Sequence, residues 1–170
     1  METMAPIRPT VHPPRRISLR LGPAAAAEAR YQVEAAIYAC NAPVDVPVAV
    51  LLASELVTNA IVHQAGETAE LVIDCTRGQL RVDVHDTSGS MPVLADAPAD
   101  AEAGRGLMLV AGLSEDWGCY RTPAGKAVYF TLAVAPDLVE GGGRGPAGAG
   151  AAMPSGWAGP GPVLRGGFCA

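Results

Sequence analysis

The hydrophobic and polar positions of this chain follow two periods, and each period predicts one kind of element. Apolar residues recur at helical spacing in three segments, so we predict helices over about 23–40, 46–64 and 106–116. Apolar and polar residues alternate in five other segments, which predicts strands over about 16–21, 69–75, 79–86, 117–121 and 126–135. The first strand is expected at a sheet edge, and the last two are expected to form a hairpin around 123–125.

The alternation within the strands also predicts the fold class. Strands of a sheet that is covered on both faces are apolar throughout, whereas alternating strands indicate one packed face. The other face is then wet or free for a partner. We therefore predict a two-layer α/β sandwich, in which a mixed, mostly antiparallel sheet carries three helices on one face.

The predicted elements are confined to the middle of the chain. Residues 1–15 are rich in proline, and residues 136–170 are rich in glycine, proline and alanine. Segments of this composition bury too little apolar surface to offset the entropy lost on ordering. We predict one domain over 16–135, between a disordered leader and a disordered tail.

Composition narrows the classes of function. The 170 residues include 12 basic and 17 acidic side chains, which gives a net charge of −5 at pH 7. Proteins that grip nucleic-acid backbones rely on lysine and arginine, so we predict no direct nucleic-acid partner. No apolar run is long enough to span a membrane and no signal peptide is visible, which favours a cytoplasmic location. The four cysteines are scattered, so a zinc site is not expected.

The second predicted helix carries a polar stripe within an apolar pattern. Glu55, Asn59 and His63 lie four residues apart, which places them on one side of a helix. An amide oxygen such as that of Asn59 suits Mg²⁺ that also binds phosphates and water. A carboxylate one turn away could position or deprotonate a nucleophile. Taken alone, the stripe is equally compatible with an ordinary amphipathic helix whose Glu and His face solvent.

Two glycine-containing segments follow that helix. Asp86 ends a strand on its apolar side, where a buried carboxylate needs donors, and Gly89 in the next turn lets backbone approach a flat ligand. Gly104 and Gly106 flank Arg105 at the start of the third helix, where free N–H groups and the helix dipole favour phosphate. Alone, the first segment fits a strand ending in an Asx turn, and the second fits a flexible loop before a core helix.

In this order, the three segments resemble the N, G1 and G2 boxes of the GHKL ATP-binding superfamily. The chain is most similar to its small branch of anti-sigma factors and serine kinases, and the resemblance covers roughly 16–134. The residues that carry it are Ser54 to His63, Gly104 to Val110, Asp116-Trp117-Gly118, and Gly125-Lys126 with Val128-Tyr129-Phe130. Superfamily members share the Bergerat fold, a two-layer sandwich that agrees with the prediction from alternation.

The resemblance implies an ATP–Mg²⁺ site. It implies that Asn59 binds Mg²⁺, that Glu55 acts as general base or orients the attacking group, and that Asp86 accepts a hydrogen bond from the adenine amine. It further implies that Gly89 lies against the base and that a phosphate-binding lid is formed by Gly104, Arg105 and Gly106, with Leu107 beside them. His63 is expected near the lid or phosphates. The G1 box departs from Asp-x-Gly-x-Gly, because Ser88 and Ser90 replace glycines.

The resemblance also implies a function. It implies an ATP-binding anti-sigma factor that phosphorylates a serine or threonine of an anti-anti-sigma protein of the STAS type and binds a sigma factor, so that partner switching controls transcription. A homodimer is common in that branch. The alternative is a non-catalytic nucleotide-binding module that binds a sigma factor or another protein partner.

Overall fold

A computed structural model describes residues 12–63, 66–76, 78–89, 105–134 and 164–165. Three helices accompany the strands of a single sheet in this part of the chain. The helices are α1 (Ala25–Cys40), α2 (Val46–Val62) and α3 (Arg105–Leu113). The strands are β1 (Arg15–Arg20), β2 (Thr68–Cys75), β3 (Gln79–Asp86), β4 (Asp116–Thr122), β5 (Gly125–Ala133) and β6 (Leu164–Arg165).

The sheet has the order β1-β2-β3-β5-β4-β6 and lies against the helices. Helix α1 packs against β1 and β2, α2 packs against β3 and β5, and α3 packs against β4. The predicted two-layer α/β sandwich is confirmed, and β1 lies at an edge as expected. All pairings among the described strands are antiparallel, so this part of the chain lacks the parallel pair that a mixed sheet would contain.

The core lies between the helices and the alternate residues of the central strands. In register, Leu80 of β3 faces Leu132 of β5, and Val82 faces Phe130. Leu52 and Leu56 of α2 belong to the same buried cluster. Each fully buried side chain of this kind contributes about 1.5–3 kcal/mol to folding stability relative to an exposed one. The buried side chains of α2, β3 and β5 therefore hold α2 on the sheet.

The first two helices begin and end close to their predicted bounds because local chemistry fixes their ends. Asp45 caps α2, since its carboxylate accepts a hydrogen bond of 3.0 Å from the Val48 amide. Helix α1 ends where Asn41 adopts the left-handed conformation, with a φ of 49°.

The predicted end of the third helix was wrong by about three residues. Helix α3 ends at Leu113, and Ser114 bonds back to the Val110 carbonyl. The Glu115 amide already donates to the Thr131 carbonyl of β5 at 2.8 Å. The chain therefore joins the sheet before the apolar helical spacing runs out.

The face of the sheet away from the helices is less open than predicted. Asp83, Tyr129 and Thr131 on this face are buried. Arg81 covers Tyr129, with its guanidinium carbon 3.9 Å from the ring centroid. Polar and aromatic side chains therefore shield part of this outer face from water, although the alternating pattern suggested a face that is wet or free for a partner.

Most of the predicted leader and tail, and Gly104 of the predicted lid, lie outside the described residues. Two tail positions are exceptions, because β6 pairs with β4 through Gly118 and Arg165. Arg15 of the predicted leader also belongs to a strand, β1, and disorder over the rest of 1–15 and 136–170 stays a prediction. Within the described part of the chain, no helix is both long and apolar enough to cross a membrane.

Candidate nucleotide site

Helix α2 presents the predicted polar stripe in a graded environment. Glu55 and Asn59 are partly buried, whereas His63 is exposed and lies just beyond the last residue of the helix. The His63 amide donates to the Asn59 carbonyl, which closes the final turn. Glu55 and Asn59 therefore lie at the boundary between core and surface, where a side chain can be held in place and still meet a ligand.

The start of α3 packs directly on Glu55. A Cβ atom at position 106 would lie 2.6 Å from Glu55 Oε2 and 3.5 Å from Glu55 Cβ, so a larger residue would displace this carboxylate. Gly106 thus allows the two helices to approach. The structure brings together two motifs that are about fifty positions apart in the sequence.

The neighbours of Gly106 have different surroundings. Arg105 is exposed at the first position of α3, and Leu107 is buried in the core. The side chain of Leu107 therefore anchors the segment, so any direct ligand contact from this residue would come from its backbone. Gly104 lies outside the described residues.

Asp86 occupies the end of β3 as the alternation predicts. Its side chain is buried, and Oδ1 accepts a hydrogen bond of 2.8 Å from the Ser88 amide. This is the Asx-type turn that the sequence pattern left open. Oδ2 lies 3.4 Å from the Nζ atom of Lys126. Asp86 is therefore both a turn residue and a buried, charged acceptor.

Lys126 belongs to a motif that carries the resemblance, but the sequence assigned it no role, and the structure places it beside Asp86. It lies directly opposite Asp86 in the β3–β5 register, so both side chains are on the helix-covered face. Alternation along the predicted strand could have placed it, because Lys126 lies at the same alternate positions as Val128 and Phe130 and therefore on the same side of the sheet. Lys126 is also the single lysine of the chain.

The turn after Asp86 lies close to two other segments. Gly66 has a φ of 100°, and a Cβ atom there would lie 2.5 Å from the Thr87 hydroxyl oxygen. Arg121 donates to the Gly89 carbonyl at 3.4 Å. A Cβ atom at Gly89 itself would meet none of the described residues within 4 Å. The loop that follows α2 and the loop that follows β3 therefore meet at one end of the sandwich.

A family model described as the histidine kinase-like ATPase domain matches residues 19–132, which is more than half of the chain. The chain belongs to this family. The match confirms the resemblance drawn from the motifs, and it spans every described site residue discussed above.

One solved structure similar to this histidine kinase-like ATPase domain is the crystal structure of the RsbU and RsbW domains of Rv1364c from Mycobacterium tuberculosis. The TM-score is 0.55 and the sequence identity is 20%, so the similarity shows the fold. It covers 72% of this chain and 33% of that chain. This chain therefore spans about a third of the length of the protein it matches. No curated protein matches it.

The residues of this ATPase domain fit a purine nucleotide with Mg²⁺. A buried carboxylate at a strand end suits an exocyclic amine. No group of three or more His, Cys, Asp or Glu side chains in the described ranges could hold a metal by itself. Mg²⁺ commonly relies on one or two protein oxygens together with phosphates and water, and Asn59 offers one such oxygen.

A separate groove of about 390 Å³ lies on the outer face of the sheet. Asp83, His85 and Tyr120 line it, whereas Glu55, Asn59 and Asp86 do not. Burial and the Asp83 charge raise the pKa of Tyr120, so the phenol stays protonated and donates to Asp83 Oδ1 at 2.9 Å. The groove is thus distinct from the candidate nucleotide site.

Proposed function

We propose that this protein is an ATP-binding anti-sigma regulatory factor that acts as a serine/threonine kinase on an anti-anti-sigma protein of the STAS type. The observation that carries the proposal is the packing of Gly106 on Glu55. It joins the start of α3, whose first amides lack helical partners, to a carboxylate on α2. Phosphate binding and orientation of an attacking hydroxyl both need groups at such a junction.

The proposed roles follow from where the side chains lie. Asp86 accepts from the adenine amine because its buried carboxylate faces the helix layer at the end of β3. Asn59 supplies an oxygen to Mg²⁺ one helical turn beyond Glu55. The first amides of α3, with Arg105, hold phosphate oxygens. ATP supplies the phosphoryl group, and transfer depends mainly on positioning and on neutralising charge.

Glu55 acts as the general base in this proposal. Its side chain is partly buried and lies beside the start of α3, so the carboxylate stays in reach of solvent and of a ligand there. A base held in this way takes the proton from the serine or threonine hydroxyl of the partner as the phosphoryl group is transferred.

The proposed partners are proteins. The net charge of −5 complements a basic surface on a sigma factor better than it does nucleic acid. We include a cytoplasmic location in the proposal, because partner switching on a sigma factor takes place where transcription does. We also include a homodimer, because this state is common in the branch that the chain resembles.

A phosphoryl-transfer assay tests the proposed base. Glu55→Gln keeps the shape of the side chain and removes the proton acceptor, so labelled phosphate transfer to a purified STAS protein should fall by about 10²–10⁴-fold. ATP affinity should stay close to wild type. Glu34→Gln is the matched control, since Glu34 is exposed on α1. It should transfer phosphate at the wild-type rate.

The same assay distinguishes the proposed kinase from the alternative of a non-catalytic binding module. If the wild-type protein binds ATP and a sigma factor but transfers no phosphate to any STAS protein, the kinase proposal fails and the binding module stands. If Glu55→Gln transfers at the wild-type rate, Glu55 is a structural polar residue.

A further inference from the structure

Lys126 and Asp86 form a buried ion pair on the helix-covered face of the sheet. The Nζ–Oδ2 distance is 3.4 Å, and both side chains are only 2% exposed. The pair sits on the last rung of the β3–β5 ladder, at the end of the sheet where the loops after α2 and β3 meet.

This placement is unusual for a lysine. On the same face, β5 continues with Val128, Phe130 and Leu132, all in the core. Lysine is almost never fully buried unless it is paired, and replacing a buried ion pair with apolar residues is often neutral or stabilising. The only lysine of the chain therefore occupies a position where packing alone would favour a hydrophobic residue.

The ammonium group also has spare hydrogen-bonding capacity. It carries three N–H donors, and its contact with Asp86 is longer than the 2.7–2.9 Å of a short charge-assisted bond. Within the described residues, Asp86 is the partner that the structure gives Lys126. Asp86 is better satisfied, because its Oδ1 accepts the Ser88 amide at 2.8 Å.

We propose that Lys126 is a second base-recognition residue of the nucleotide site. It donates a hydrogen bond to a ring nitrogen of the purine whose amine binds Asp86. This inference rests on the proposed ATP site. The adenine amine has an acceptor nitrogen on each side, N1 and N7. A donor next to the accepting carboxylate therefore matches one of these neighbours.

Binding calorimetry with ATP analogues tests the inference in the wild-type protein. ATP, 1-deaza-ATP and 7-deaza-ATP, each with Mg²⁺, differ in one ring nitrogen. One deaza analogue should bind about 10–100-fold more weakly than ATP, the range for a hydrogen bond to a charged group. In Lys126→Met, ATP should weaken by a similar factor, and the difference between ATP and that analogue should vanish.

A second readout needs no variant. Because Lys126 is the only lysine, a protein labelled with ¹³C-lysine gives a single side-chain ε-methylene signal. That signal should move on addition of ATP and move less with the deaza analogue that binds weakly. This measurement decides the inference even if Lys126→Met does not fold.

The outcomes separate this inference from the proposed function. If the wild type binds ATP and both deaza analogues equally, with an unmoved lysine signal, Lys126 is a structural partner of Asp86 and the inference is overturned. The ATP site would still stand. If the wild type binds no ATP, the proposed function fails and the inference fails with it.

Discussion

The two faces of the sheet each hold a buried carboxylate paired with a cation, and the two pairs differ in how completely they are satisfied. On the outer face, Asp83 accepts from both Arg81 Nε and Nη2 at 2.8 Å. Tyr120 donates a further bond to it at 2.9 Å. On the helix-covered face, the described residues give Asp86 one backbone donor and one longer ion pair, with Lys126.

The two pairs differ in whether a ligand could bind to them. A bidentate arginine that also stacks on Tyr129 forms a closed network, which a ligand cannot enter without breaking bonds. The Asp86–Lys126 pair keeps donors and lone pairs for another molecule. We therefore expect changes to the outer pair, Arg81 and Asp83, to reduce stability. Changes to the pair on the helix-covered face, Lys126 and Asp86, should reduce nucleotide binding.

The largest expected effect on folding comes from Asp83→Asn. It leaves the mostly buried Arg81 guanidinium without its carboxylate, so the free energy of unfolding should fall by about 3 kcal/mol. Urea denaturation measures this. The control is Glu70→Gln, which breaks the exposed pair with Arg16 and should cost less than about 1 kcal/mol. Equal losses in the two variants would contradict a structural role for the outer pair.

Gly125→Ala tests the rung that joins Asp86 to Lys126. A Cβ atom there would collide with the Asp86 carbonyl and lie 2.7 Å from Thr87 Cα, so backbone must shift. We expect a loss of about 1–3 kcal/mol in unfolding free energy, as for other overpacked sites, together with weaker ATP binding. Gly112→Ala is the control, because a Cβ atom at this helical glycine would meet no described side chain or other element within 4 Å. A stable Gly125→Ala with normal binding would show that the rung is not critical.

Gly106→Ala should affect activity more than stability. Its Cβ would meet the flexible end of Glu55, which can move away at little energetic cost. Displacing a proposed base from its position should reduce phosphoryl transfer by at least about 10-fold. Transfer and thermal unfolding should be measured on the same sample. If the melting temperature drops sharply while the rate per folded molecule is unchanged, the glycine serves packing alone.

The smallest expected effect is a pH dependence on the outer face. Burial and the Asp83 charge raise the pKa of Asp74, although Arg81 opposes the shift. The unfolded state therefore ionises first as pH rises above 3.8, and the stability contribution of Asp74 falls through that window. Asp74→Asn should stabilise the protein at pH 7 by less than about 1 kcal/mol, and the gain should shrink toward pH 4. Urea midpoints at the two pH values check this, and a destabilised variant at pH 7 would contradict it.

Much of the fold could be predicted because each element has a local pattern. Alternation gave the bounds of β3 to the residue, and helical spacing with caps placed α1 and α2 within two residues. The end of α3 could not be predicted in this way, since it depends on the bond from Glu115 to Thr131 in a distant strand.

The candidate site was only partly predictable for the same reason. Glu55, Asn59 and Asp86 stand in motifs that are visible along the chain. The pairing of Lys126 with Asp86 depends on the β3–β5 register, which no local pattern specifies. The shielding of the outer face was also missed, because alternation reports which residues share a face and not how they cover one another.

The nucleotide site at Asp86 is tested most directly by calorimetry of ATP–Mg²⁺ binding to the wild type, Asp86→Asn and Asp83→Asn, under conditions where all three are folded. We predict that the wild type binds, that Asp86→Asn loses about 1–3 kcal/mol of binding free energy, and that Asp83→Asn binds like the wild type. A wild type without ATP affinity, or equal losses in the two variants, would contradict the assignment of the nucleotide site to the helix-covered face.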